Sequence, residues 1–99
     1  MQYNFEWDPS KAKQNLRKHG VSFERAAEVF LDPLAISIYD EEHSLNEDRW
    51  ITIGKEQANL ILVVIHTFHE QDVDINKIRL ISARRATKKE IKQYEGDEP

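Results

Sequence analysis

One run of the chain, Leu60 to Phe68 (LILVVIHTF), limits the fold more than any other feature. It is almost continuously apolar and rich in β-branched residues. Its unbroken part, Leu60 to Ile65, is nonetheless far shorter than the roughly 20 residues a membrane-spanning helix needs. A stretch of this length and composition reads as the central strand of a sheet covered on both faces. With 99 residues and no cysteine, the chain has room for one domain, residues 1–99, held by ordinary packing without disulfides or a thiolate metal site. The opening MQYNFEWDPS has no charged leader followed by an apolar run, so the expectation is a soluble, cytoplasmic protein with no membrane partner.

Further strands flank that run. Leu34, Ile36 and Ile38 alternate with Ala35, Ser37 and Tyr39, giving a strand with one buried face. Trp50 to Ile53 makes another, which Gly54 is expected to end, and Ile78 to Ala83 supplies a fourth. Their short connections favour an antiparallel meander, with Gln2–Glu6 as a candidate extra edge strand. Helices account for the rest. Asp8-Pro9 pairs a cap with a proline at the first helical position, and Gly20 is the natural stop. Ser22 caps a second helix whose Phe23, Ala26, Ala27 and Phe30 share one face. Thr87 and Glu90 form a capping box for a C-terminal helix docked by Ile91 and Tyr94 and ended by Gly96, leaving residues 96–99 as a frayed tail. The fold class is α+β: two N-terminal helices, a four-stranded, mainly antiparallel sheet and a C-terminal helix.

A net charge of -4 argues against non-specific coating of nucleic acid, which depends on neutralising phosphates. The charge is segregated, however. Between Lys77 and Tyr94 the bases Lys77, Arg79, Arg84, Arg85, Lys88, Lys89 and Lys92 face the single acid Glu90, and the acids between Asp40 and Asp48 offset them in the sum. The N-terminus of the last helix presents free N–H groups beside Arg84 and Arg85, a pattern suited to an anion. The same run also fits a solvated basic face. Arg79 alternates with Ile78 and Leu80 and so stands on the sheet face opposite theirs, either to bind an anion or to make a structural ion pair with Glu47, Asp48 or another acid. The segment DEEHSLNEDRW places His43, Glu47 and Arg49 at the sheet margin, where they are proton donors and acceptors or simply solvated loop residues. His66 and His69 are three apart on one strand and face opposite sides, which disfavours a shared metal. Nothing resembles a glycine-rich phosphate loop or an activated nucleophile. No cofactor is expected.

Several motifs taken together are more specific: FEWDP from Phe5, NLRKHGVSFERAAEVFLDP from Asn15, HSLNEDRW from His43 and IRLISARRATKKEIKQYE from Ile78. In this order, over nearly the whole chain, they resemble the BrnT toxin family. The resemblance implies a RelE-like fold, an endoribonuclease that arrests growth, and a BrnA-type antitoxin whose complex with the toxin binds operator DNA and represses the operon. The sequence leaves open whether that complex is an oligomer. Carried onto this chain, the resemblance places candidate catalytic residues at His43, Glu47, Arg49, Arg79 and Arg84, and RNA contacts at Thr67, Ser82, Arg85, Lys88 and Lys92. The chain departs from the usual family pattern at His69, where arginine is common, and in the longer connection from Glu70 to Asn76. That departure keeps a non-catalytic binding subunit, holding an antitoxin or nucleic acid, as the alternative.

Overall fold

A computed structural model describes residues 2–96. The chain runs β1 (Gln2–Glu6), α1 (Pro9–His19), α2 (Phe23–Ala27) continued by a 3-10 turn (Glu28–Leu31), β2 (Ile36–Tyr39), a second 3-10 turn (Glu41–His43), β3 (Arg49–Lys55), β4 (Ile61–Asp72), β5 (Ile75–Arg85) and α3 (Lys88–Glu95). Both helix starts follow from their caps. The Asp8 carboxylate accepts from Ser10 N at 2.8 Å, and Ser22 Oγ accepts from Arg25 N at 3.2 Å. Gly20, at φ 71°, ends α1 in the left-handed conformation that glycine adopts without strain. Of the expected tail, residues 97–99 lie outside the described residues.

The sheet has the order β1-β5-β4-β3-β2. β2 to β5 form the expected antiparallel meander, but β1 is a fifth strand and pairs parallel to β5, Phe5 opposite Ile78 and Glu6 opposite Arg79. The candidate edge strand Gln2–Glu6 is thus present, and its parallel pairing corrects the expected four-stranded, RelE-like sheet to a five-stranded mixed one. The reason is topological: the α1–α2 layer carries the chain from β1 across one face of the sheet to its far edge. Val21, Phe23, Ala26 and Val29 from this layer pack against Leu62, Val64, Ile78, Leu80 and Ala83. Asn15, buried on α1, pins the layer to β5: its Nδ2 donates to Ala83 O at 2.9 Å and its Oδ1 accepts from Ala83 N at 3.1 Å.

Gly54 does not end β3, which continues to Lys55. A Cβ there would lie 2.6 Å from Val29 Cγ1, so this glycine marks a close approach of the helical layer to the sheet. Cover on both faces of β4 is partial. Leu62 and Val64 meet the helical layer, while Val63 and its ladder partner Ile53 project to the opposite face and are buried at the end where α3 lies against β3. Beyond them that face opens, and from Phe68 onward β4 is exposed.

Candidate active site

Three side chains cross the open face in one row. Thr67 on β4 is the ladder partner of both Arg49 on β3 and Arg79 on β5, so all three project from the same side of adjacent strands. The loop before β3 returns Glu47 over this row. Its Oε1 accepts from Arg79 Nη2 at 2.6 Å and lies 3.9 Å from Arg49 Nη2, so two guanidinium groups converge on one carboxylate oxygen. The loop is braced from below: Ser44 Oγ accepts from Arg49 N at 3.0 Å, and Tyr39 OH donates to Asp48 at 2.9 Å. Arg49 Nε is buried and has no hydrogen-bond partner among the described residues.

A cavity of about 440 Å³ opens beside the row, lined by Glu47, Asp48, Thr67 and Arg79 and, further along β4, β5 and β1, by Phe68, His69, Lys77 and Glu6. Lys77 Nζ and Glu6 form an ion pair at 3.3 Å on its rim. The charges nearly balance, so an incoming anion must displace an internal carboxylate from its arginine. Among the described residues no group of His, Asp and Glu is arranged to hold a metal ion.

Other sequence candidates lie elsewhere. His43 ends the 3-10 turn, exposed, with Nδ1 3.0 Å from an Asp40 oxygen, and does not line the cavity. Arg84 sits opposite Val63, four ladder positions from Thr67, or roughly 13 Å along the strand. Its guanidinium forms a fork with the Glu90 carboxylate at 2.7 and 2.8 Å. Glu90 also accepts from Thr87 N at 2.8 Å, completing the capping box. The Arg84 hydrogen bonds, opposed by partial burial and helped by the Thr87 N–H, hold the Glu90 carboxyl at about 2. The anion that the α3 N-terminus and Arg84 were expected to attract is therefore supplied by the helix itself. Ser82 is half-buried opposite Ile65, beside an irregularity in the β4–β5 ladder. Arg85, Lys88 and Lys92 are exposed around α3. The structure thus brings Glu47, Arg49, Thr67 and Arg79 together and leaves Arg84, Arg85, Lys88 and Lys92 as a separate basic end. Glu6, Lys77 and His69 join the first group. Alternation within Gln2–Glu6, with Asn4 and Glu6 against Tyr3 and Phe5, was the available signal for Glu6, but only the parallel register places it opposite Arg79.

The family model for the ribonuclease toxin BrnT of type II toxin-antitoxin systems matches residues 7–90, which include the whole Arg49–Thr67–Arg79 row. The chain belongs to the BrnT toxin family. Among solved structures, the ribonuclease toxin BrnT of Brucella abortus is similar at 27% identity and a TM-score of 0.63, over 89% of this chain and 99% of that one. A comparison with curated proteins gave no match. Membership makes this chain a ribonuclease toxin by family, with RNA as substrate class and an antitoxin as the type of partner. Among the described residues of this BrnT chain, no helix is long and apolar enough to cross a membrane.

Proposed function

We propose that this BrnT chain is a metal-independent endoribonuclease whose reaction centre is the Arg49–Thr67–Arg79 row with Glu47 above it. The convergence of two arginines on one Glu47 oxygen carries the reading, because a phosphate oxygen fits where that carboxylate oxygen sits. On binding, an RNA phosphate displaces Glu47 from Arg79 and takes its place facing Arg49 Nη2. The released carboxylate takes the proton of the adjacent 2′-hydroxyl as that oxygen attacks phosphorus. The phosphorane's extra charge falls on Arg79 and Arg49, with Thr67 as a further donor. The bond to the 5′-oxygen then breaks, and that oxygen takes a proton from His69, which lines the cavity and acts in its protonated, imidazolium form. The products are a 2′,3′-cyclic phosphate and a 5′-hydroxyl.

His43, the other candidate base, is held by Asp40 away from the cavity, which favours Glu47. Arg84, Arg85, Lys88 and Lys92 then serve as a second basic area for RNA or for an antitoxin of the BrnA type, which neutralises the toxin and joins it to operator DNA. Growth arrest follows from the cleavage. The test is incubation of the purified chain and its Arg79→Ala variant with RNA, with and without chelator. Cleavage by the wild type that survives chelator and disappears in the folded variant supports the reading.

The closed Arg79–Glu47 pair also favours a second reading, in which the row is a structural brace and the chain binds without turnover. RNA left intact by the wild type in both conditions would select it.

A further inference from the structure

A second cavity, of about 250 Å³, lies on the helix-side face of the sheet and takes no part in the chemistry above. Its walls are mostly aromatic: Tyr3 of β1, Phe30 of the 3-10 turn, Trp50 of β3 and Phe68 of β4. Phe30 stands edge-on to the His66 ring at 4.8 Å, with Tyr3 at 6.4 Å from Phe30. Two polar side chains reach the same space, Ser37 and His66, joined through Thr52 by hydrogen bonds of 2.8 and 2.7 Å.

The hydrogen bonds fix what this chain offers a ligand. His66 Nδ1 donates to Thr67 O at 3.3 Å, so Nε2 accepts the Thr52 hydroxyl proton. Thr52 has then spent its proton, and Ser37 donates to it. The remaining lone pairs of Ser37 are acceptors for a ligand. Burial pushes His66 down to about 4, which keeps the relay in this arrangement near neutral pH. Flat aromatic walls with an acceptor at the edge suit a planar ring bearing N–H groups.

The two cavities also meet. β3 begins at Arg49, opposite Thr67, so from Phe68 to Asp72 β4 has a neighbour on the β5 side alone. Phe68 stands at the start of that free edge and lines both cavities. A single-stranded chain bound at Arg79 can pass over this edge from one face to the other.

We infer that the aromatic cavity is a nucleobase subsite, taking a base of the RNA strand near the phosphate held by Arg79 and stacking it against Trp50 and Phe68. The inference rests on the ribonuclease reading. Stacking of this kind tolerates any base, and a side chain of a protein partner is the competing occupant.

The full chain carrying Trp7→Phe leaves Trp50 as its sole tryptophan. It is titrated with 2′-O-methyl oligoribonucleotides, which cannot be cleaved by 2′-hydroxyl attack, while Trp50 emission is followed. Saturable quenching is expected, with affinity falling roughly five- to 150-fold in Phe68→Ala and Tyr3→Ala. Both side chains are partly exposed, so the variants should fold, which circular dichroism checks. Oligonucleotide that binds without altering Trp50 emission, or equally well to both variants, overturns the inference, as does a protein partner that shields Trp50 where RNA does not. Cleavage of ordinary RNA by the same protein is scored separately. Cleavage without quenching sinks the subsite and leaves the nuclease; quenching without cleavage does the reverse.

Discussion

Arg84→Ala separates the two arginine sites of β5. The substitution removes the fork on Glu90, whose carboxyl stands at about 2 against an ordinary 4.5. If the whole difference were lost, the cost would be at most about 3 kcal/mol. Two facts reduce it: the Arg84 side chain is 41% exposed, so solvent screens the pair, and Glu90 keeps the Thr87 N–H. A loss of about 1 kcal/mol remains, lowering Tm by about 4–8 °C in a chain of this size. The sign with pH follows. Because Glu90's folded value lies below its ordinary one, its contribution is fully present above 4.5 and disappears as pH falls toward 2. The gap between wild type and variant should therefore be widest near neutrality and narrow at about pH 3. Thermal unfolding at several pH values, beside RNA cleavage well below the variant's Tm, checks both halves. A variant with unchanged Tm but cleavage reduced a hundredfold would refute this reasoning and move Arg84 into the reaction centre.

Arg79→Ala should behave in the opposite way, losing roughly a hundred- to thousandfold in rate by single-turnover cleavage, as for removal of one transition-state donor. Its ion pair with Glu47 is 45% and 38% exposed, so unfolding should shift by no more than about 1 kcal/mol. RNA binding through about three phosphates should weaken with salt at a log–log slope of about -2, measured by fluorescence anisotropy. Gly54→Ala should destabilise by about 1–3 kcal/mol in denaturant, because Val29 lies within 2.6 Å of the added carbon. His66, neutral down to about 4 when folded against an ordinary 6.5, should stabilise fully above 6.5 and lose its contribution as pH falls from 6.5 toward 4. His66→Gln should flatten that part of the stability profile.

Local signals carried most of the architecture. Asp8, Ser22 and Thr87 cap their helices as side-chain chemistry requires, and Gly20 and Gly96 end two of them at positive φ. The run from Leu60 is indeed in the central strand of the sheet. What was not legible depends on contacts distant in sequence. Gly54 looked like a strand end because a missing side chain weakens a strand, whereas Val29 in another layer requires its absence. At the site, alternation put Arg79 on the open face, but no local pattern could show that Thr67 lies between it and Arg49 or that Glu47 meets both. Arg84 looked similar to Arg79 in sequence. Only the turn from β5 into α3 brings Glu90 onto it and closes the helix end to other anions.

The parallel pairing of β1 with β5 joins the two segments of this sheet that are farthest apart in the chain. During synthesis β1 emerges first and has no strand to pair with until β5 follows, about 70 residues later. Arg79, two strands from Arg49, is part of that late arrival. A nascent chain halted between β3 and β5 therefore carries Glu47 and Arg49 without Arg79, the arginine on which the proposed reaction centre depends.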